Sequence, residues 1–184
     1  MGPVDPLAII SKYYDPESEL HGILVTHSRM VAKKALEAAR AVEHLNPDLR
    51  FIEEAAMLHD IGIFRVSFPK IGCRGSSPYI CHGVLGREIL EREGLPRHAL
   101  VCERHIGTGI TRADVEKRDL PLPKRDMVPV SIEEQIICFA DKFFSKDKDS
   151  LVKERSIDEI KRSLAVLGAE KVRRFEEWIT IFLS

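Results

Sequence analysis

Apolar residues recur at helical spacing along nearly the whole chain of 184 residues, and this periodicity restricts what the chain can fold into. Residues 20 to 45 carry the apolar stripe of one long amphipathic helix. Residues 51 to 59 are apolar on most sides, which predicts a second, buried helix. No segment alternates polar and apolar residues in the manner of a strand. The sequence therefore predicts an all-α fold of six to eight helices.

Capping residues and glycines mark the ends of the other predicted helices. Gly94 separates a helix over residues 80 to 93 from the one that follows it. Capping-box signatures begin at Ser131 and Ser156, and each opens a later helix. Gly62, just after the second helix, is interpreted as a helix-terminating glycine.

Composition excludes several classes of protein. The formal net charge of -1 offers no basic field for nucleic acid. No apolar run reaches the length of a membrane span, and the N-terminus lacks the positive segment of a secretory signal, so a cytoplasmic location without a membrane partner is expected. The four cysteines form no C-x-x-C pair, so we expect reduced thiols rather than a structural zinc site.

Histidines and aspartates fall at helix positions that suit one shared site. Five successive predicted helices each offer metal-capable residues in apolar surroundings, and one of the helices offers an adjacent pair. The residues are His27, the pair His59 and Asp60, His82, His105 and Asp141. A buried aspartate such as Asp60 needs a partner, because an isolated buried carboxylate is very costly. A cation held by neutral imidazoles would supply that partner. Any one of these residues alone would more often be an ordinary core or surface residue, so the prediction depends on the whole set.

Nitrogen and oxygen donors of this kind suit one or two divalent metal ions, with iron or manganese favoured and zinc, cobalt, nickel or magnesium as the other candidates. One ion could be bound by His27, His59, Asp60 and Asp141. His82 and His105 could then hold a second ion, with Asp60 bridging the two. A two-metal site of this design suits displacement at phosphorus.

The ordered set resembles the HD superfamily of metal-dependent phosphohydrolases over roughly residues 20 to 145. The tetrapeptide His59-Asp60-Ile61-Gly62 is similar to the family's HDIG form. Three other stretches resemble the branch of symmetrical dinucleoside tetraphosphate hydrolases: residues 82 to 86, Arg104-His105 and residues 139 to 142. The resemblance implies a single HD domain over residues 1 to 184, with its motif-bearing core at about 20 to 145 and a C-terminal helical extension at about 151 to 184.

The same resemblance implies that metal-activated water hydrolyses a nucleotide or another small phosphate ester or anhydride, with Asp60, His82 and His105 as catalytic residues. Four basic residues near the motifs are candidates for binding substrate phosphate: Lys142, Arg104, Arg65 and Arg74. Solvated surface charge or pairing with a nearby acid is the alternative for each of them. The predicted partner is a small phosphate-bearing substrate, and a homodimer is left open.

Two other functions stay open at this stage. Some members of the resembled superfamily use two irons and oxygen to cleave a carbon–phosphorus bond, and they need a similar set of histidines and aspartates. A metal-stabilised sensor or binding module without catalysis is the non-enzymatic alternative. The complete set of metal-capable residues argues against the sensor.

One long segment lacks helical periodicity. Residues 111 to 130 are densely charged and contain three prolines, which disfavours a packed helix. The segment joins His105 to Asp141, so both of its ends must lie near the predicted site. We predict that residues 107 to 130 form a mobile cover over that site, with a surface excursion packed elsewhere as the alternative.

Overall fold

The structure is a computed structural model that describes residue 2 and residues 4 to 183. Over these residues it contains nine α-helices: α1 (Pro6–Ile10), α2 (Glu19–Ala41), α3 (Leu49–Leu58), α4 (His82–Arg92), α5 (Pro96–Arg104), α6 (Arg112–Lys117), α7 (Ile132–Asp141), α8 (Ile157–Ala165) and α9 (Ala169–Phe182). One antiparallel pair of two-residue strands, β1 (Ser67–Phe68) and β2 (Cys73–Arg74), lies between α3 and α4. The predicted all-α class is confirmed, and the short helices α1 and α6 bring the number above the predicted range.

Side-chain caps begin several of these helices, as the sequence indicated. The capping box predicted at Ser156 is formed in both directions with Glu159. Ser131 accepts from the backbone N–H of Glu134, but the Glu134 carboxylate accepts from the N–H of Val130 instead of completing the box. Both arrangements satisfy N–H groups that a helix start leaves without a partner.

Most of the apolar core consists of two clusters that meet along α2 and α3, and a smaller third cluster contains Ile110, Val115 and Met127. The C-terminal half of α2 packs with α3, α7, α8 and α9, where Phe139 and Phe175 are fully buried. The N-terminal half of α2 packs with α1, α4, α5 and the turn after α3. On α2, His27 lies between Val25 of one cluster and Val31 of the other. His59 directly follows the last residue of α3, Leu58. The metal-capable residues therefore occupy the boundary between two packed halves, where their surroundings are rigid.

Two glycines allow the elements around His59, His82 and His105 to approach closely. A Cβ atom at Gly62 would lie 2.3 Å from the carbonyl oxygen of His82, and one at Gly83 would lie 2.5 Å from that of Cys102. Helix α3 already ends at Leu58 with His59 as its C-cap, and Gly62 has a φ of -82°, so its interpretation as the glycine that terminates this helix is wrong. Its absent side chain instead makes room for the backbone of α4.

The segment between His105 and Asp141 is more ordered than predicted. It contains α6, which Thr111 opens through a capping box with Asp114. Ile110 and Met127 exchange backbone hydrogen bonds, and both side chains are buried. The expectation of a segment without a packed helix is wrong, because all its prolines fall after α6 and leave the helix intact. Whether the segment moves over the site stays a prediction.

The remaining expectations concern thiols and membrane spans. All four cysteines are free, and three of them are buried, which confirms the prediction of reduced thiols. Within the described part of the chain, no helix has the length and apolar character required to cross a bilayer.

Candidate metal centre

The structure brings all six predicted metal-capable residues to one place. They lie at the middle of α2 (His27), directly after α3 (His59 and Asp60), at the first residue of α4 (His82), directly after α5 (His105) and at the last residue of α7 (Asp141). All six side chains are buried. Helix ends converge on the site from several directions, and these ends position the side chains without a flexible loop. Metal binding by these residues stays a prediction.

Four of the residues form what we call the first subsite: His27, His59, Asp60 and Asp141. Their donor atoms all lie within 4.8 Å of one another. The Nε2 atom of His27 is 3.1 Å from Asp141 Oδ1 and 3.3 Å from Asp60 Oδ2. The Nε2 atom of His59 is 3.1 Å from Asp60 Oδ2 and 3.3 Å from Asp141 Oδ1. Two donors that each lie about 2.1 Å from one ion at a right angle are about 3 Å apart, so these spacings fit a single ion.

Three residues form what we call the second subsite: Asp60, His82 and His105. Here the other carboxylate oxygen of Asp60, Oδ1, lies 3.4 Å from the Nε2 atoms of both histidines. Asp60 thus presents one oxygen to each subsite. The sequence had suggested Asp60 as the bridge between two ions, and the geometry is that of a bridging carboxylate.

Backbone carbonyls orient three of the four imidazoles. The Nδ1 atoms of His59, His82 and His105 lie 2.6 to 2.7 Å from the carbonyl oxygens of the residues three positions earlier. A carbonyl can only accept, so each Nδ1 carries a proton, and each Nε2 points into the site, where it presents a lone pair whenever its imidazole is neutral. This arrangement is the usual one for a metal-binding histidine.

The lone pairs supply the test of whether a metal fits. The Nε2 atoms of His82 and His105 face each other at 3.1 Å, although both are acceptors. Oδ1 of Asp60 is also buried without a hydrogen-bond partner, 3.4 Å from both of these nitrogens, whereas Oδ2 is paired with the ammonium of Lys146. Buried acceptors that converge without donors are unfavourable unless a cation lies among them. The donor set, four imidazole nitrogens and two carboxylates, fits a divalent metal ion.

Protons are unevenly distributed between the two subsites. Burial alone would lower the pKa of His59, but the carboxylates of the first subsite outweigh burial and raise that pKa to about 9. In the second subsite, burial lowers the pKa of His82 to about 3 and also lowers the pKa of His105. The second subsite is therefore deprotonated near neutral pH, whereas the first holds a proton that an entering ion must displace.

Two lysines accompany the aspartates, and sequence reasoning missed one of them. Lys142, a predicted phosphate-binding residue, lies with Nζ 2.7 Å from Asp141 Oδ2 and donates to the carbonyl of His105. Lys146 was not predicted; its Nζ lies 2.6 Å from Asp60 Oδ2, and its side chain is only 12% exposed. Burial would raise the pKa of Asp60, but the Lys146 ammonium and the surrounding histidines together outweigh burial and hold that pKa well below its usual range. No local pattern distinguishes Lys146 from the exposed lysines that follow it.

The structure places the three predicted arginines outside this cluster. Arg104 makes two hydrogen bonds, of 2.9 and 3.0 Å, to the carboxylate of Glu134. Arg65 pairs with Glu88 at 2.8 Å, and Arg74 is exposed on β2. A guanidinium already held by a carboxylate has fewer donors left for phosphate. The structure therefore lends no support to the predicted phosphate-binding role of these arginines.

Comparison with known proteins gives a family-level match. Residues 24 to 146 match the family model described as HD domain, and this stretch contains all six residues of the two subsites. None of the three curated relatives or the solved structure compared with this chain bears the name of a dinucleoside tetraphosphate hydrolase, so that branch of the resemblance gains no support.

Three curated relatives resemble large parts of the chain. A tRNA (cytidine(56)-2'-O)-methyltransferase of Thermoplasma volcanium is 31% identical over 162 residues, which are 88% of this chain and 43% of that protein. A protein of the same name from Picrophilus torridus is 34% identical over 127 residues, 68% of this chain and 33% of that protein. An uncharacterized protein of Methanocaldococcus jannaschii is 36% identical over 121 residues, 64% of each chain. The chain spans less than two thirds of the length of each of these relatives.

Among solved structures, the crystal structure of the HD domain of L. monocytogenes phosphodiesterase PgpH is similar to this chain. The two superpose with a TM-score of 0.51 and 16% sequence identity, over 97% of this chain and 96% of that one. At this identity the likeness shows a common fold.

Proposed function

The chain belongs to the HD domain family, and on that premise we propose that it is a metal-dependent phosphohydrolase that cleaves a small phosphate ester or anhydride. The observation that carries this proposal is the placement of Asp60. One of its oxygens faces two imidazole nitrogens of the first subsite, and the other faces two imidazole nitrogens of the second. A carboxylate shared in this way suits a pair of ions, which is an efficient arrangement for displacement at phosphorus.

Each part of the site has a chemical role in this proposal. The two ions would supply an activated water and neutralise charge on the phosphoryl oxygens. Asp60, His82 and His105 would hold the second ion, and the other three residues of the first subsite would complete the first. In the overall reaction, water oxygen forms the new bond to phosphorus, the bond from phosphorus to the leaving oxygen breaks, and that oxygen takes up a proton.

The charges of the site favour one class of substrate. Buried imidazoles and lysines around two carboxylates suit a compact anion such as the phosphoryl group of a nucleotide. The methyltransferase names of two relatives describe proteins of which this chain matches less than half. The residues assembled here are metal-capable donors and lysines, which suit hydrolysis of a phosphate compound and give no support to methyl transfer.

A substrate screen tests the proposal. The purified protein, loaded with Mn²⁺ or Fe²⁺, should release phosphate or a phosphate monoester from at least one member of a panel of nucleotides and small phosphate esters. Asp60→Ala should lose bound metal and activity together. Two bound ions without hydrolysis of any panel member would contradict the proposal. Oxygen uptake by the iron-loaded protein would instead favour the di-iron oxygenase.

A further inference from the structure

A cavity of about 270 Å³ has two lining residues that contact the metal centre. The first is Lys146, whose ammonium contacts Asp60. The second is Tyr79, whose ring centroid lies 4.7 Å from that of His82. Phe68 and Phe144 also line the cavity. A pocket lined by aromatic rings and a lysine suits a small ligand with an anionic group.

The ammonium of Lys146 competes for an oxygen that belongs to the first subsite. It lies 2.6 Å from Asp60 Oδ2, and the same oxygen lies 3.1 Å from His59 Nε2 and 3.3 Å from His27 Nε2. Two positive charges repel strongly at such short separations in a poorly solvated site. An ion bound at Oδ2 would therefore weaken the contact between Asp60 and Lys146.

The carboxylates beside Lys146 are already paired, and one of them, Asp147, lines the cavity and lies 2.5 Å from Lys70. Asp141, the other carboxylate of the first subsite, already pairs with Lys142. The Lys146 side chain lines the cavity, and the hydroxyl of Tyr79 interacts with it there. A buried ammonium needs an anionic or hydrogen-bonding partner, and an anion in the cavity would provide one.

We propose that Lys146 is a phosphate-binding residue, which leaves Asp60 as the ions bind and donates to a phosphoryl oxygen of a substrate seated in the adjoining cavity. This inference rests on the proposed function, since it presumes a phosphorylated substrate. It assigns to Lys146 two effects of opposite sign: the residue opposes ion binding and favours phosphate binding.

The two effects separate in the variant Lys146→Met, which keeps the length of the side chain and removes its charge. Mn²⁺ should bind to the first subsite more tightly than in the wild type. Inorganic phosphate should bind to the Mn²⁺-loaded variant roughly tenfold to a hundredfold more weakly, as expected for loss of a hydrogen bond between charged groups. Titration calorimetry measures both. Lys148→Met is the matched control, because Lys148 lies two residues further on, is exposed and pairs with Glu19.

A measurement on the wild-type protein keeps the inference testable if the variant does not fold. Acetic anhydride should modify Lys146 in the Mn²⁺-loaded protein, and inorganic phosphate should protect it, while Lys148 reacts equally in both conditions. Mass spectrometry of the peptides reads out both sites. Protection of Lys146 alone supports the proposal.

The outcomes distinguish this inference from the proposed function. Equal phosphate affinity in Lys146→Met and the wild type, or labelling of Lys146 that phosphate leaves unchanged, would overturn the role of Lys146 while hydrolysis by the wild type could still stand. A wild type that binds Mn²⁺ and protects Lys146 with phosphate, yet hydrolyses nothing in the panel, would reject the hydrolase and retain the phosphate site.

Discussion

The two subsites of the metal centre share Asp60 but differ in charge and in the way the fold holds them. The first subsite has two carboxylates and draws its residues from α2, α7 and the end of α3. The second has only the shared carboxylate, and its two imidazoles come from α4 and the end of α5. Burial makes those imidazoles neutral, whereas the first subsite carries a proton on His59.

This difference indicates how an ion would be retained at each position. Opposite charge stabilises a bound cation, so the first subsite should bind more tightly once its proton is displaced. The second subsite offers fewer protein donors and leaves more positions for water or substrate. Open coordination positions are typical of catalytic rather than structural metal sites.

Removal of the shared carboxylate should have the largest effect, because it affects both subsites. Asp60→Asn keeps the shape of the side chain but removes its charge. We expect loss of the second ion, weaker binding of the first, and activity lowered by at least about a hundredfold, since changes beyond the ligands themselves already cost 10- to 100-fold. Metal analysis by mass spectrometry and phosphate release measure these effects. Asp158→Asn is the control, because Asp158 is an exposed residue on α8. Unchanged metal content in Asp60→Asn would refute the bridging role.

Loss of one imidazole from the second subsite should separate the two positions. His82→Ala should reduce the stoichiometry from about two Mn²⁺ to about one while the protein stays folded. The remaining ion should bind with nearly wild-type affinity, because none of the four residues of the first subsite has changed. A wild type that takes up only one ion at saturation would eliminate the second subsite as a metal site and leave the first intact.

A methyl group added at Gly62 should disturb the second subsite by displacing α4, although Gly62 is not one of the predicted metal ligands. Gly62→Ala places a methyl group 2.3 Å from the carbonyl oxygen of His82, so α4 must shift. We expect a loss of about 1 to 3 kcal/mol in the free energy of unfolding, as for other overpacked sites, together with weaker binding of the second ion. Denaturant unfolding and Mn²⁺ titration measure the two effects.

Gly22→Ala provides the control for Gly62→Ala. Gly22 lies on α2 with open space around the added methyl group. Since alanine is favoured over glycine inside a helix, this variant should be slightly more stable than the wild type. Equal stability of Gly62→Ala and Gly22→Ala would show that α4 can move away without loss.

The smallest expected difference between the two subsites is the number of protons released when each binds an ion. The folded-state pKa of His59, about 9, lies above the ordinary value of 6.5, so below pH 9 an ion must displace this proton. Affinity at the first subsite should fall by about tenfold when the pH is lowered from about 8 to about 7. His82, with a pKa of about 3, has no proton to lose in that range. Calorimetry in buffers of different ionisation enthalpy should find about one proton released by the first ion and none by the second; equal release by both would contradict the assignment.

The sequence determined the elements that depend on local interactions. Helical periodicity and the cap at Ser156 act within a few residues, so the all-α class and several helix starts could be predicted. The six metal-capable residues could be selected for a related reason: each lies at a helix position in apolar surroundings, and the set occurs in the order typical of one family. Their convergence was an inference, and the structure brings them together.

Tertiary structure alone decided which distant groups meet. Lys146 reaches Asp60, whereas Arg104 is held by Glu134, although the two basic residues look equally available to either acid in the sequence. Gly62 resembles a helix terminator, but the backbone of α4 is what requires its missing side chain. Periodicity and capping are set by neighbours along the chain, while the partner of a charged side chain is set by the packing of helices far apart in sequence, and no local pattern records that packing.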